Sequence, residues 1–171
     1  MTQHSRSVKS KSVESNEERA RCYFEAMERG TVADAIDFWA PDAVNQASGR
    51  SEPQRGRQAI ATVFQMLRTA FPDRHYEVDD MLGVGDQVVC RLTVSGTFGT
   101  TPPRPPFPVP ASFVGVEGSE LVPASAKGKP YSVNHIHIFR FRDGLITDHW
   151  AARDDLGLMI QLGGIVVHTR S

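Results

Sequence analysis

Residues 133–163 have the sequence VNHIHIFRFRDGLITDHWAARDDLGLMIQLG, and this stretch carries the clearest pattern in the chain. Polar and apolar residues alternate on both sides of residues 142–144, where a glycine permits positive φ, and this predicts two strands joined by a tight turn. Asp154 and Asp155 then stand where a helix N-terminus favours a carboxylate, and Gly163 predicts the end of that helix. The stretch therefore predicts a β-hairpin followed by a short helix.

The register of this hairpin decides which side chains share a face. A three-residue turn with Gly144 at a bulge places His137 opposite His149, with Ala151 on the diagonal. A two-residue turn aligns His137 with Trp150 instead. Because glycine suits the bulge position, we favour the three-residue turn.

The chain before the hairpin predicts helices first. A capping-box pattern at residues 15–18 predicts the first helix, and residues 31–39 predict a second, shorter one. Pro41 ends that second helix, residues 43–46 predict a short strand, and residues 48–56 predict a polar loop. The apolar stripe of residues 57–71 predicts a third helix.

Strands dominate the later part of the chain. Residues 75–82 and 87–98 are predicted strands. Residues 99–129 hold, with Pro130, eight of the eleven prolines. A loop of this length is either a lid over a site or a stiff, exposed excursion. Early helices and late strands indicate an α+β fold, in which N-terminal helices cover a curved antiparallel sheet and form a cone-shaped pocket.

Length and composition are those of one globular domain. The chain has 171 residues, and we expect residues 15–163 to form the domain, with a disordered tail at 1–14 and a C-terminal tail at 164–171. The formal net charge of -1 offers no excess of basic residues. Balanced charge argues against nucleic-acid binding and against binding to a membrane surface.

The two cysteines, Cys22 and Cys90, have no metal-ligand spacing and are predicted to be reduced core thiols. The sequence contains no apolar run as long as a membrane span and no signal-peptide core at its N-terminus. Together these features predict a cytoplasmic protein.

Three histidines in the hairpin are the main candidates for chemistry. His135, His137 and His149 share one face in the favoured register, where an imidazole can act as a general acid or base near neutral pH. For any single histidine, an exposed or subunit-contact position is the more common alternative. The His-x-His spacing is also compatible with a metal, but no further ligands are evident, so we predict no metal. The chain has no nucleotide-binding or serine-hydrolase motif.

Asn45 and Asp154 are weaker candidates. The Asn45 amide can donate to an oxyanion, although asparagine near a turn is commonly structural. Asp154 stands at a predicted helix N-terminus, where a capping role competes with a catalytic one.

Several stretches of the sequence resemble the SnoaL-like polyketide cyclases. The strongest is the hairpin of residues 137–149 with the ending QLG at 161–163, and PDAVN at residues 41–45 also matches. Further matching stretches are residues 26–30, 56–71 and 91–96. The resemblance extends from about residue 18 to residue 163. It implies a fold like that of nuclear transport factor 2, with one pocket, commonly in oligomers. It also implies ring closure by intramolecular aldol condensation without a cofactor or a metal.

The resemblance assigns roles to individual positions. The family's histidine, seven residues before the turn glycine, falls on His137, and the asparagine of its first strand falls on Asn45. Pocket-wall positions fall on Met27 and Val63. The family's acid/base aspartate falls on Ala151, which cannot accept a proton.

Two nearby acids do not simply replace that aspartate. Asp148 and Asp154 lie three residues before and after Ala151, and odd offsets place them on the opposite side of a regular strand. His137 then serves as base itself, or Asp154 acts as a second candidate acid/base.

We therefore predict a cofactor-free acid/base enzyme that cyclises or isomerises a hydrophobic, polyketide-like small molecule. The catalytic candidates are His137, Asn45 and Asp154. The alternatives are an enzyme that opens or hydrates epoxides and a non-catalytic binding protein. A homodimer or tetramer is expected, because open sheet edges need covering. The predicted substrate contacts are Met27, Val63, His135, His149 and Trp150.

Overall fold

The computed structural model describes residues 15–47, 52–99 and 122–165, and its architecture is the α+β fold that the sequence predicts. The predicted tail at 1–14, most of the one at 164–171, and residues 100–121 of the proline-rich stretch lie outside the described residues. A 3-10 turn forms at Ala124–Ala126. The helices are α1 (Asn16–Arg29), α2 (Val32–Ile36), α3 (Arg57–Ala70) and α4 (Asp155–Leu162). The strands are β1 (Trp39–Ala47), β2 (Gln54–Arg55), β3 (His75–Val84), β4 (Gln87–Thr97), β5 (Pro130–Arg142) and β6 (Leu145–Arg153).

The first helix begins at the predicted capping box. The backbone N–H of Glu18 donates to Ser15 Oγ at 3.2 Å, and the Ser15 N–H donates to Glu18 Oε2 at 2.8 Å. Two N–H groups that have no partner within the helix are thereby satisfied. The local sequence alone is sufficient to position this helix start.

The second helix is shorter than predicted, since it ends at Ile36 and Trp39 already belongs to β1. Trp39 is fully buried and pairs with Ile146 of β6. Burial and strand pairing with a distant segment therefore override the local helical pattern. Pro41 lies within β1, at an irregularity in its pairing with β6, as expected of a residue without a backbone N–H.

The six strands form one open sheet in the order β2-β1-β6-β5-β4-β3. The sheet is mixed rather than wholly antiparallel, because β1 runs parallel to β6 while every other neighbour is antiparallel. A tight turn forces its two strands to run antiparallel, whereas strands far apart in sequence are free of that constraint. β1 and β6 are such a pair, and β2 arises in a segment predicted to be a polar loop.

The β5–β6 turn has two residues, so the favoured three-residue turn is wrong. Arg142 pairs with Leu145, and the two residues between them both have positive φ, 53° at Asp143 and 74° at Gly144. Positive φ at both central residues is the type I′ geometry, whose twist matches the twist of paired strands.

A bulge then shifts the hairpin register by one residue. Phe141 pairs with Ile146 but Arg140 pairs with Asp148, which leaves Thr147 as the extra residue. The bulge adds to the turn, and neither of the two predicted registers results. A slip of two residues from the favoured register keeps each side chain on its predicted face, because side chains alternate with a period of two.

The helices cover one face of the sheet. Tyr23 and Phe24 of α1 and Phe64 of α3 pack with Trp39 and Phe139 in an aromatic core with ring-centroid distances of 5.4 to 6.3 Å. The other face carries exposed apolar side chains. No helix of the described residues is long and apolar enough to cross a membrane.

The cysteines are free thiols, as predicted. Cys90 is fully buried in the core, and burial raises its pKa to about 12. Cys22 is half-buried on α1. Neither thiol lines the pocket described below.

Candidate active site

The pocket-facing side of the hairpin brings the predicted histidines together. His135, His137, His149 and Ala151 line one cavity. His137 stands directly opposite Ala151, and His149 stands opposite Phe139. The prediction of a shared face is therefore right, although the predicted cross-strand partner of His137 is not.

The cavity lies between this face and the helices and holds about 570 Å³ of empty space, including its opening to solvent. The predicted wall residues Met27 and Val63 line it, from α1 and α3. Tyr23, Phe24, Phe64 and Leu67 add further apolar and aromatic surface to its lining. An apolar cavity with a few convergent polar groups is the usual form of a small-molecule site.

A chain of buried hydrogen-bonding side chains runs along the sheet into this cavity. His137 Nδ1 lies 2.8 Å from His149 Nε2, and His149 Nδ1 lies 2.7 Å from Asn45 Oδ1. Asn45 Nδ2 donates to Gln54 Oε1 at 2.8 Å. At the other end, His137 Nε2 lies 3.4 Å from His135 Nδ1. Parallel pairing of β1 with β6 makes the chain possible, because it puts Asn45 beside His149.

These contacts specify the tautomers of two histidines. A carbonyl oxygen only accepts hydrogen bonds, so His149 Nδ1 carries the proton that is donated to Asn45 Oδ1. In a neutral His149 the Nε2 atom then accepts, and His137 Nδ1 donates to it. His137 Nε2 consequently keeps its lone pair, and its contact with His135 is long. His137 therefore presents a basic nitrogen that its other ring contacts orient.

All three imidazoles are neutral at pH 7. Burial lowers the pKa of His149 to about 3, with a further contribution from the charge of Arg153. Burial likewise lowers the pKa of His135 to about 3, together with the charges of Arg74 and Arg153. Burial and the neighbouring histidines hold the pKa of His137 well below its usual value. A row of hydrogen-bonded neutral imidazoles can accept a proton at one end and share the positive charge along its hydrogen bonds.

Aromatic rings fix the planes of two of these imidazoles. His149 stacks on Phe139 at a centroid distance of 4.7 Å and meets Trp39 edge-on. Phe24 meets His137 edge-on at 5.7 Å. His137 and His149 expose only 9% and 7% of their surface, so little room remains for the rings to rotate.

Two predicted site residues do not reach the cavity. Trp150 is partly exposed on the opposite face of the sheet, where the Arg140 guanidinium lies 5.6 Å from its ring centroid. Asp154 caps α4, since its Oδ1 accepts from the backbone N–H of Gly157 at 2.7 Å. Trp150 is on the wrong side of the strand because adjacent residues point to opposite faces.

Sequence reasoning missed several residues that complete the site. Arg153 follows Ala151 by two positions, so strand alternation could have identified it. Arg74 and Tyr76 line the cavity from β3 and the residue before it, and no local pattern indicates them. Gln54 comes from β2, which lies in a predicted loop.

Within the described part of the protein, the side chains that line the cavity include no carboxylate. Ala151 is opposite His137, where the resemblance places an acid/base aspartate. Among the described residues, no group of three His, Cys, Asp or Glu side chains is arranged to hold a metal ion.

Comparisons with known proteins agree with this architecture. AclR of Streptomyces galilaeus, a proposed hydroxylase, superposes with a TM-score of 0.67 at 21% identity, over 91% of this chain and 89% of that one. IdmH of Streptomyces antibioticus, a proposed polyketide cyclase, superposes with a TM-score of 0.65 at 24% identity, over 86% of this chain and 98% of that one. TsrD of Streptomyces laurentii superposes with a TM-score of 0.64 at 26% identity, over 86% of this chain and 94% of that one.

A protein with a ketosteroid isomerase-like fold from Catenulispora acidiphila is also similar, with a TM-score of 0.63 at 15% identity, over 85% of this chain and 92% of that one. Comparison with curated proteins finds no match. The model of the SnoaL-like polyketide cyclase family matches residues 17–162, which include every helix and strand described above except the first residue of α1. The chain belongs to the SnoaL-like polyketide cyclase family.

Proposed function

We propose that this chain is a cofactor-free acid/base enzyme that cyclises or isomerises a hydrophobic, polyketide-like small molecule. The proposal depends on one observation: His137, His149 and Asn45 are joined by hydrogen bonds, and these side chains line a cavity with aromatic walls. Neutral imidazole is the form that accepts a proton, and burial of His137 and His149 strengthens their polar contacts with a bound substrate.

In the proposed reaction, His137 Nε2 removes a proton from a carbon next to a carbonyl, and the C–H electron pair forms an enolate. His137 Nδ1–H shares the new positive charge with His149, whose own Nδ1–H is held by Asn45. For cyclisation, the enolate carbon attacks a second carbonyl, and the imidazolium returns its proton to the resulting alkoxide. For isomerisation, the proton returns to a different carbon.

The geometry supports a modified role for Asn45. Its Nδ2 donates to Gln54 and its Oδ1 accepts from His149, so both ends of the amide are engaged within the protein. This favours orientation of His149 over donation to a substrate oxyanion. Asn45 then holds the second imidazole of the chain in the tautomer that receives charge from His137.

The assignment to His137 can be tested with deuterium exchange into 2-tetralone and with product analysis on aromatic polyketide esters. His137→Gln removes the basic nitrogen, and we expect the exchange rate and turnover to fall on the order of a hundredfold to ten-thousandfold. His75→Gln is the matched control, because His75 lies outside the cavity and contacts Glu28. Full activity in His137→Gln would refute the assignment.

The same experiment separates the alternatives. A non-catalytic binding protein would bind the aromatic esters without exchange or product, and binding would survive in His137→Gln. An aromatic epoxide added as a further substrate tests the ring-opening alternative, since a diol product would appear without deuterium exchange into 2-tetralone.

We also propose that the chain forms a homo-oligomer, a dimer or a tetramer, in the cytoplasm. The outer face of the sheet exposes apolar side chains in neighbouring strands, and a patch of this kind commonly marks a protein interface. Light scattering on the purified protein measures the assembly directly. The side chains concerned are Leu82, Val84, Val89, Ile136 and Trp150.

A further inference from the structure

Two guanidinium groups, from Arg74 and Arg153, line the cavity that holds the histidines. Arg153 has a carboxylate partner, since its Nη2 lies 2.9 Å from Asp155 Oδ2. Arg74 differs, because no carboxylate of the described residues lies within 4.0 Å of its guanidinium nitrogens. The cavity therefore has a positive charge that the described part of the protein does not neutralise with an ion pair.

The surroundings of Arg74 leave part of its bonding capacity unused. Its Nη1 donates to the Tyr76 hydroxyl at 3.0 Å, and the Tyr131 hydroxyl is also beside the guanidinium. Nε is buried and has no hydrogen-bond partner among the described residues. The guanidinium lies 4.8 Å from the ring centroid of Phe71 and 5.7 Å from that of Tyr76. These cation–π contacts hold the half-buried guanidinium in place, but they do not occupy its N–H groups.

We propose that the substrate carries a carboxylate, and that Arg74 binds it while the reacting carbon faces His137. The inference rests on the proposed function for the identity of the cavity as the substrate site. Arginine is suited to this task because its planar, permanently charged group matches a carboxylate and is weakly hydrated. Arg74 and His137 line the same cavity, so one molecule can contact both.

A bound carboxylate would also make the histidines better bases. The charges of Arg74 and Arg153 help to hold the imidazole pKa values low, and a negative charge between them would counteract that effect. Substrate binding would then raise the basicity of His137 when the proton has to be removed. Among the described residues, the ionisable side chains that line the cavity with the histidines are Tyr23, Arg74, Tyr76 and Arg153.

Calorimetry with anthraquinone-2-carboxylate and its methyl ester tests the inference, because the two probes differ in charge at one position. We expect the native protein to bind the acid on the order of tenfold to a hundredfold more tightly. Arg74→Gln should abolish this preference, and Arg74→Lys should retain part of it. Arg142→Gln is the matched control, because it removes the same charge from an exposed site outside the cavity.

A second measurement uses the native protein only. In NMR titrations of the histidine side chains, the acid should shift their protonation to higher pH and the ester should not. Equal affinity for acid and ester, or a preference that survives in Arg74→Gln, would overturn the inference. Binding of neither probe would also count against it. Because 2-tetralone has no carboxylate, the deuterium-exchange assay tests the proposed function independently of this inference.

Discussion

The two faces of the β5–β6 hairpin are formed by alternating residues of the same strands, yet the polar side chains of one face are buried and those of the other are exposed to water. On the inner face, His137 and His149 are buried, neutral and joined by a short hydrogen bond. On the outer face, Arg140 lies 3.5 Å from Asp86 and 4.0 Å from Asp148 in ion pairs that are open to water. Burial on one side therefore turns polar side chains into an ordered chain, while water on the other side screens them.

The largest expected difference between the two faces is in the free energy of unfolding that is lost when one side chain is truncated. Phe139 is fully buried and stacks on His149, so Phe139→Ala should lower the free energy of unfolding by about 3 to 5 kcal/mol. Ile136→Ala on the outer face truncates a side chain that is 47% exposed, and it should change the free energy of unfolding by roughly 0.5 kcal/mol or less. Urea denaturation measures both. A similar loss in the two variants would contradict the contrast between the faces.

Acid should weaken the inner face. The pKa of His149 is lowered to about 3 in the folded protein and is near 6.5 when unfolded, so below pH 6.5 the unfolded chain binds a proton that the folded chain does not. Stability is therefore unaffected by this group above pH 6.5 and falls as the pH decreases towards 3. Between pH 6.5 and 5 the loss for one such histidine is roughly 1 to 2 kcal/mol.

Unfolding free energies measured by urea denaturation across this pH range test the prediction. His149→Phe removes the titrating group and keeps a ring beside Phe139, so its stability should depend less steeply on pH than that of the native protein. An unchanged slope in this variant would show that the acid sensitivity comes from elsewhere.

The smallest expected effect concerns Asp154, which lies at the end of the hairpin and outside the cavity. Asp154→Ala should reduce stability by about 1 kcal/mol, because the N–H of Gly157 loses its partner. Asp154→Asn keeps a capping oxygen and should leave both turnover and the thermal midpoint nearly unchanged. Loss of turnover in Asp154→Asn without loss of stability would instead favour the second acid/base candidate.

Local chemistry made much of the fold predictable. Caps, turn glycines and strand alternation act over a few residues, so the first helix, the last helix and the hairpin faces follow from short patterns. The bulge at Thr147 was not predictable in this way, since it depends on how two whole strands fit together. The same limit applies to the end of α2, where burial of Trp39 outweighs a helical pattern.

The sequence by itself determined the α+β class, the family and the histidines that share one strand face. Only the tertiary structure decided that Asn45 and Gln54 extend the histidine chain and that Arg74 joins the same cavity. The physical reason is range. Alternation and capping are properties of neighbouring residues, whereas the parallel pairing of β1 with β6 and the approach of β3 are settled by packing of segments distant in sequence.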